Sequence, residues 1–519
     1  MTTLPEAEAR LAQLETTANL AWWSMSCEAS EETSAAAEAA SAAYEHALAE
    51  PAVAAAAVAL DDSPLEQRRA EVLRLMTAGR QRPADLIDRI VGLETELMAA
   101  HSRYRATVDG QELDAAAVDR VLSESTDLVE RQAVWTSARL VGGEVAGGLR
   151  ELARLRNEAA RAAGYRDHYA MALALDELDE QRLYGMFDAL HEALAPAWGA
   201  ERAAIETQRR VALGLACDAL FQPWHMIDVF GQEAPSVGPD PLEPVIGAVD
   251  ALGASCRYFA ELGYDVEGVL ARSDVLPRPG KDQHAFMMHV DRRGDVRVLM
   301  NLVPTVRWLE TTLHELGHAI YELSLDADLP WLLRDPAHIL TTEAMAMLHG
   351  RRGRDPEFLE RYAGVPAAAA QDPINAATLR RGLLILAAWV QVMTRFEQAF
   401  YADPDGDLDM VWWDLVERYQ GIPRPLAPVP NAWASKIHLA VAPCYYHNYL
   451  LGEILASQVE EWTERETGAG SPAVQPSVVG PLIGERLLRP GASLRWDRLV
   501  ERAMGAPLGI DAFVRDTLA

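Results

Sequence analysis

The spacing of apolar residues predicts helices along most of the chain. Within residues 128–164, apolar positions recur every three or four residues, which is the period of one buried helix face. Gly164 stands where such a helix would end. Most of residues 5–215 show the same amphipathic pattern, and the helix-favouring residues Ala, Leu, Glu and Arg dominate the composition. We therefore expect a mainly α protein.

One stretch has a clear β pattern. Within residues 284–302, two short β-prone runs flank the sequence Asp-Arg-Arg-Gly, which predicts a hairpin. Residues 222–242 and 421–433 are rich in proline and lack periodicity, so we expect loops there. The length of the first loop indicates either a functional segment or a boundary between lobes.

The size of the chain predicts more than one lobe. Its 519 residues, 50% of them hydrophobic, are too many for one ordinary core and too evenly mixed for disorder. We expect a single unit of two intertwined helical lobes. Its predicted parts are an N-terminal helical lobe over 1–221, a crossing loop and hairpin over 222–305, a helix pair over 306–350 and a C-terminal helical lobe over 351–519.

The charge balance argues against nucleic-acid and membrane partners. The sequence has 77 Asp and Glu residues against 47 Lys and Arg, a net charge of −30, whereas nucleic acids and anionic membranes bind basic surfaces. An acidic surface could attract cationic substrates, although a solvated surface that aids solubility is the commoner explanation.

We expect a soluble protein of the cytoplasm. The four cysteines form no CxxC pair, which argues against a disulfide framework or a cysteine-zinc site. The N-terminal residues lack the basic and apolar regions of a signal peptide, and we find no uninterrupted apolar run of membrane-spanning length.

The candidate chemistry lies in a His-Glu-x-x-His sequence. The apolar stripe of residues 306–325 predicts a helix with one buried face. His314 and His318 are four residues apart, so both project from the same side of this helix and can bind one metal ion. Glu315 is placed to polarise a metal-bound water. Because the neighbouring side chains are uncharged, we interpret the motif as a metal site rather than a chance match.

The third ligand defines the class of metal site. A metzincin has Gly three residues and His six residues after the second histidine, but Tyr321 and Ser324 stand at these positions. The downstream candidates are Glu322, Asp326, Asp328, His338 and Glu343.

We predict Glu343 as the third ligand, with water at the fourth position. It follows His318 by 25 residues, on a second helix that we expect to start at Asp335-Pro336, with Asp335 as N-cap, and to end at Gly350. Glu343 lies among Leu, Ala and Met, where an ionised carboxylate needs a partner such as zinc. The alternative is a buried carboxylate that is only hydrogen-bonded.

Several stretches resemble the angiotensin-converting-enzyme (peptidyl-dipeptidase A) family of zinc peptidases, in a soluble bacterial form. The stretches are TTANLAWWSMS (16–26), LRNEAARAAGYRDHYAMAL (155–173), HELGHAIYE (314–322) and DLPWLLRDPAHILTTEAMAML (328–348). The resemblance covers most of the chain, and it extends more distantly to thimet oligopeptidase and oligopeptidase F. It implies a two-lobed helical gluzincin shell with a deep central channel, one Zn²⁺ per chain and short peptides as substrates.

The resemblance also implies substrate-binding residues. His284 and Ala285, 30 and 29 residues before His314, match a pair that binds the substrate backbone from an edge strand. In KIHLAVAPCYYHNYLLGE (436–453), Lys436 and Tyr446 match residues that bind the C-terminal carboxylate of the substrate.

In the same segment, His438 and Tyr449 match the residues that stabilise the oxyanion, provided that the alignment shifts by one residue between them. Two positions depart from the family. Met347 stands where an aspartate orients a zinc histidine, so the surroundings of the zinc ligands must differ. Asn448 stands where an arginine binds chloride in the animal enzymes, which argues against chloride activation.

The function that we predict is zinc-dependent peptide hydrolysis with release of C-terminal dipeptides. Zinc-bound water would attack the scissile carbonyl while Glu315 takes its proton. If the C-terminal anchor is not used, an oligopeptidase that cuts internal bonds is the alternative. A non-catalytic helical protein with a structural metal is a third hypothesis, favoured by the missing aspartate and opposed by the presence of Glu315.

Overall fold

The structure is a computed structural model that describes residues 2–518. Its α-helices are α1 (Leu4–Cys27), α2 (Glu31–Ala49), α3 (Pro51–Ala55), α4 (Pro64–Ala78), α5 (Ala84–Arg103), α6 (Ala115–Glu124), α7 (Leu128–Arg139), α8 (Val141–Ala162), α9 (His168–Leu175), α10 (Glu180–Ala212), α11 (Glu243–Ile246), α12 (Ala251–Leu262), α13 (Glu267–Leu270), α14 (Val306–Ser324), α15 (Ile339–Gly350), α16 (Pro356–Arg361), α17 (Ala367–Ala370), α18 (Pro373–Ala402), α19 (Leu408–Leu415), α20 (His438–Val441), α21 (His447–Thr467), α22 (Pro476–Ile483), α23 (Trp496–Met504) and α24 (Asp511–Leu518). Short 3-10 or π segments are Pro223–His225, Trp331–Leu333, Arg351–Arg354, Val416–Gln420, Ala432–Ser435, Gly484–Leu488 and Gly491–Ser493.

The strands are few. They are β1 (Ala106–Val108), β2 (Gln111–Leu113), β3 (Phe286–His289) and β4 (Val296–Leu299). Within residues 2–518 they form two antiparallel two-stranded sheets, β1 with β2 and β3 with β4. The prediction of a mainly α protein with a small β hairpin is therefore confirmed.

The described residues form two compact units. The first unit consists of the N-terminal stretch up to Gln81, of Gly238–Leu379 and of Leu451–Asp516. The second unit consists of Arg82–Val237 and Arg380–Leu450, with the C-terminal end from Thr517.

The core of the first unit is built on α14. Thr305 caps this helix, since its side-chain oxygen accepts a hydrogen bond from the backbone N–H of Trp308 at 3.3 Å. Leu309, Leu313 and Leu316 on its predicted apolar stripe are buried in one hydrophobic cluster with β4 and α12. Burial of this stripe fixes the rotation of α14 and therefore the direction in which its polar side chains point.

The predicted hairpin is confirmed as β3 and β4. Phe286 lies opposite Leu299, and His289 lies opposite Val296. Gly294 in the connecting turn has φ of 106°, a backbone conformation that favours glycine. The β1–β2 hairpin was not predicted, because three-residue strands are too short to show a period. Its Asp109-Gly110 turn, a sequence pair typical of tight hairpins, was the available signal.

The predicted start of α15 is wrong by three residues. His338, not Asp335, is the N-cap, because its Nδ1 accepts a hydrogen bond from the backbone N–H of Leu340 at 2.9 Å. Asp335 is instead ion-paired with Arg292 at 3.1 Å. The predicted end at Gly350 is correct.

Residues 128–164, whose apolar positions showed the helical period, form two helices, α7 and α8, separated at Leu140.

A buried ion pair holds the end of α15 against α21. Arg351 Nε donates to Glu453 Oε2 at 2.9 Å, and the two side chains are only 4% and 8% exposed. A buried pair of this kind is costly to break, because removing one partner leaves the other charge buried and uncompensated.

In the second unit, aromatic side chains form part of the buried interior. Trp412 and Trp433 are buried, and Arg139 stacks over Phe230 with its guanidinium carbon 4.4 Å from the ring centre. Arg139 also donates a hydrogen bond to the carbonyl oxygen of Val229 at 2.8 Å. The loop that contains Phe230 is thereby fixed from the interior of the unit.

One helical stretch of residues 2–518, which comprises α17 and α18, is long and apolar enough to span a membrane by length and composition alone. The stretch is Ala367–Ala402, and 61% of its most apolar part is buried inside the protein. The stretch is interrupted by charged residues such as Arg380, Arg381 and Arg395, so it is not an uninterrupted apolar run. A core helix has the same properties, and Arg381 within the stretch is buried and ion-paired with Glu201.

Candidate metal centre and active site

The three predicted metal ligands lie together in the first unit. Helix α14 carries His314 and His318, and α15 carries Glu343. The Nε2 atom of each histidine is 3.9 Å from Oε2 of Glu343, and the candidate ligand atoms all lie within 4.8 Å of one another. Among the His, Cys, Asp and Glu side chains of residues 2–518, these three form the group that could hold one metal ion.

Two glycines allow the helices to approach at this point. A Cβ atom on Gly317 of α14 would lie 2.7 Å from the carbonyl oxygen of Met345 and 2.8 Å from Cα of Ala346. A Cβ atom on Gly452 of α21 would lie 2.7 Å from Cβ of Glu343. No larger residue fits at either contact, so the glycines determine how closely α15 packs against its neighbours.

The donor set fits a zinc ion. Zinc sites combine imidazole nitrogen and carboxylate oxygen at about 2.0–2.2 Å, which places tetrahedral ligand atoms about 3.3 Å apart. The separations of 3.9 Å to Glu343 are within a small side-chain adjustment of this value. Burial lowers the pKa of His314 to about 4, and burial followed by the charge of His314 lowers the pKa of His318 well below its ordinary value. Both rings are therefore neutral at pH 7, as metal ligands must be.

Glu315 lies beside these ligands and is itself buried. Its carboxylate accepts a hydrogen bond from the backbone N–H of Met287 on β3. Burial, followed by the negative charge of Glu343, raises the pKa of Glu315 to about 8. A bound cation would oppose both effects. Glu315 is thus a fixed carboxyl group that holds a proton at neutral pH in the metal-free site, and a bound cation would favour the ionised form that a general base needs.

Three of the four other candidates for the third ligand have different partners, and the fourth, Asp328, is exposed. Glu322 accepts a hydrogen bond from Nδ1 of His289 at 2.8 Å. The ring carries its proton on Nδ1, because its Nε2 accepts the backbone N–H of Gly294 at 2.9 Å. Asp326 is ion-paired with Arg489 at 3.3 Å, and His338 caps α15.

His318 has a partner on its second nitrogen that the sequence did not reveal. Its Nδ1 is 2.8 Å from Oγ1 of Thr342, the residue directly before Glu343. Met347 stands where the resemblance places an aspartate, and its thioether is only a weak acceptor. The hydroxyl of Thr342 contacts the ring instead.

His284 and Ala285 lie directly before β3 rather than on it, since the strand begins at Phe286. The His284 side chain is exposed, and its backbone N–H donates to Asp282 at 3.0 Å. The N–H of Met287 is the part of this strand that contacts the site, through Glu315. Binding of the substrate backbone by His284 and Ala285 stays a prediction.

The four residues predicted from segment 436–453 lie together in the second unit. The ring centres of His438 and Tyr446 are 5.0 Å apart, and those of Tyr446 and Tyr449 are 5.6 Å apart. Lys436 Nζ is 5.5 Å from the Tyr446 ring. Helix α21 begins at His447, so only Tyr449 of the two tyrosines lies on it.

Lys436 is buried in an aromatic pocket. Its Nζ donates to Gln232 Oε1 at 2.8 Å and lies 4.5 Å from the ring centre of Phe230 and 5.2 Å from that of Trp389. Burial lowers the pKa of Lys436 to about 8, an effect that the nearby Asp228 opposes. A buried ammonium group among aromatic rings is a strong site for a carboxylate.

The loop over 222–242 supplies Gln232 and Phe230 to this pocket. The buried carboxylate of Asp228 accepts backbone N–H groups of Phe230 at 2.8 Å, Gln232 at 3.2 Å and Glu233 at 3.0 Å, which folds the loop around it. From its length the sequence predicted either a functional loop or a lobe boundary here, and these residues were missed. The signal that was available was Asp228 followed by Gly231, which has φ of 65°.

A second missed signal is the scarcity of lysine. The sequence contains two lysines, Lys281 and Lys436, so the remaining 45 of its 47 basic residues are arginines. Both lysines are buried, with exposures of 4% and 6%. Lys281 is ion-paired with Asp274 at 2.8 Å in the first unit. In a chain that otherwise uses arginine, each lysine therefore occupies a specific buried position.

Comparison with known proteins gives one distant relative. The chain is 22% identical over 419 residues to an angiotensin-converting enzyme of Theromyzon tessulatum, and the match covers 74% of this chain and 68% of that protein. No protein-family model matches the chain. The similarity supports a likeness to angiotensin-converting enzymes as a group and nothing finer.

Proposed function

We propose that the chain is a zinc metallopeptidase that hydrolyses short peptides. The observation that carries this proposal is the convergence of His314, His318 and Glu343, with Glu315 buried beside them. The distant similarity to an angiotensin-converting enzyme supports a zinc peptidase in general. A structural metal site has no use for a buried carboxylate such as Glu315, so catalysis explains this residue and a structural role does not.

A zinc ion in this site would supply Lewis acidity, polarising the scissile carbonyl and lowering the pKa of a water. Glu315 takes the proton of the attacking water and delivers it to the leaving amine nitrogen. The N–H of Met287 holds the Glu315 carboxylate in place during both transfers. His438 and Tyr449 are proposed to donate hydrogen bonds to the oxyanion of the tetrahedral intermediate.

We further propose that Lys436 and Gln232 bind the C-terminal carboxylate of the peptide. The Lys436 ammonium supplies the charge and the Gln232 side-chain amide can donate a hydrogen bond. The buried, aromatic surroundings strengthen such a pairing relative to water. This anchor makes the enzyme a dipeptidyl carboxypeptidase, and an enzyme that does not use it would be an oligopeptidase.

The proposal is tested with the zinc-loaded protein and pairs of peptides that differ only in a free or an amidated C-terminus. We expect C-terminal dipeptides, identified by mass, from the free peptides alone. Cuts inside both members of each pair would establish the oligopeptidase alternative instead.

Two substitutions separate catalysis from metal binding. Glu315→Gln should lower kcat by about 10²–10⁴-fold while zinc still binds at one ion per chain. Asp328→Asn is the matched control, since Asp328 is exposed in the α14–α15 connection and should affect neither property. If the zinc-loaded protein cleaves no peptide and Glu315→Gln changes nothing, the chain is a non-catalytic metal protein.

A further inference from the structure

The contact between His318 and Thr342 joins α14 and α15 beside the metal ligands. Oγ1 of Thr342 is 2.8 Å from Nδ1 of His318, and both side chains are largely buried. We propose that Thr342 is a positioning residue that holds His318 in the tautomer and orientation that bind zinc. This inference rests on the metal site of the proposed function.

The direction of the hydrogen bond follows from the metal site. A neutral imidazole carries one proton, on either Nδ1 or Nε2. Nε2 of His318 faces Glu343 at 3.9 Å and needs its lone pair to bind a metal ion, so the proton belongs on Nδ1. Thr342 Oγ1 is the acceptor for that proton. If the hydroxyl donated to Nδ1 instead, the proton would move to Nε2 and block the ligand position.

A hydroxyl fills the place that a carboxylate takes in many zinc sites. Metal-binding histidines usually donate their second N–H to a carboxylate, a backbone carbonyl or a water. At the position where the resemblance predicts an aspartate, Met347 offers only a weak acceptor. Because Thr342 precedes Glu343 directly, one turn of α15 supplies both a ligand and the residue that orients another ligand.

The close packing of the two helices makes this contact possible. Gly317 lies next to His318, and a Cβ atom added to it would meet the backbone of Met345 and Ala346 on α15. A threonine hydroxyl is short, so it reaches the ring only when the helix axes are this close. A carboxylate side chain is longer and would span a larger gap. A threonine at position 342 therefore requires the close helix contact that Gly317 allows.

The experiment measures zinc affinity by competition with a chelator. Thr342→Val keeps the shape of the side chain but removes the acceptor, and should raise the zinc Kd by about 10–100-fold. Thr342→Ser keeps the hydroxyl and should stay within about threefold of the wild type. Thr341→Val is the matched control, because the Thr341 hydroxyl bonds to the His338 carbonyl at 2.7 Å and not to a ligand.

The tautomer of His318 gives a second measurement that does not depend on activity. In the zinc-free protein labelled with ¹⁵N-histidine, we expect His318 to carry its proton on Nδ1, and Thr342→Val to lose this preference. A proton on Nε2 in the zinc-free wild type would overturn the inference even if Thr342→Val fails to fold. Equal zinc Kd values for the wild type and Thr342→Val would overturn it as well, while the proposed function stands. A wild-type chain that binds no zinc would overturn both.

Discussion

At the scale of single residues, Lys436 shows how burial sets the pH range in which a side chain is charged. Burial is the largest cause that lowers its pKa from 10.5 to about 8, Arg139 acts in the same direction, and Asp228 and Glu233 oppose them. Above about pH 8 the neutral amine dominates and can no longer pair with a carboxylate. The unfolded chain binds more protons between about pH 8 and 10.5, so this group makes the free energy of unfolding rise with pH in that window.

The pH profile of peptide cleavage should reveal this titration. For peptides with a free C-terminus, kcat/KM should fall above about pH 8 and approach a tenfold loss per pH unit, because the charged form of Lys436 is lost. The Lys436→Met variant should lack this fall, because it has no amine to titrate at this position. Since the chain has two lysines, spectra of isotope-labelled lysine follow the same titration directly, with Lys436→Met as the assignment control. A wild-type profile without this fall, or a fall that Lys436→Met retains, would contradict the carboxylate anchor.

At the scale of elements, the contact between α14 and α15 determines the metal site. The helices meet at Gly317, where a side chain would collide with backbone atoms rather than with a flexible group. Backbone atoms cannot move aside alone, so a larger residue must separate the helices and carry Glu343 away from the histidines.

Substitution of Gly317 tests this packing. Gly317→Ala should lower the free energy of unfolding by about 1–3 kcal/mol through overpacking, and should weaken zinc binding in the same variant. Gly185→Ala in α10 is the control, since nothing lies within 4 Å of its added Cβ. That change should be neutral or stabilise by about 0.5–1 kcal/mol, as alanine favours helix. Denaturant unfolding measures the free energy of unfolding, and zinc titration measures the zinc affinity. If both are unchanged in Gly317→Ala, the two helices can accommodate a methyl group at this contact.

The parts of this arrangement that could be predicted are those with a local signal. The apolar stripe of α14 is periodic, and the carboxylate of Glu343 stands among apolar residues, so both were found from the sequence. The start of α15 was missed because histidine rarely caps a helix, whereas Asp335-Pro336 is a common start.

Contacts between elements left no such signal. Thr342 meets His318 because of how α14 and α15 are rotated and spaced, and the sequence separation of 24 residues does not encode that rotation. Gln232 and Lys436 are more than 200 residues apart, and a folded loop brings them together. Both pairs depend on packing that no single stretch of sequence specifies.

At the scale of the whole molecule, the ligands of the proposed zinc ion all belong to the first unit. A ligand that binds only the folded state stabilises it by mass action, by about 2.7 kcal/mol at a free concentration of 100 times Kd. Without zinc, the carboxyl groups of Glu315 and Glu343 stay buried side by side.

Removal of zinc should therefore loosen α14 and α15. We expect faster amide hydrogen exchange in both helices after chelation, measured by mass spectrometry and reversed when zinc is added back. Helix α10 of the second unit is the internal reference. Equal changes in α10 would show that the ion stabilises the chain as a whole, and no change in α14 would contradict the metal site.

The two buried lysines give each unit a built-in reporter of local opening. Lys281 lies in the first unit and Lys436 in the second, and a lysine-specific protease has no other residue in the chain to cut after. Because such a protease needs several residues of extended chain, the folded protein should resist it until a segment around one lysine opens. The two cleavage rates then measure the local unfolding of each unit separately, in unmodified protein and without any label.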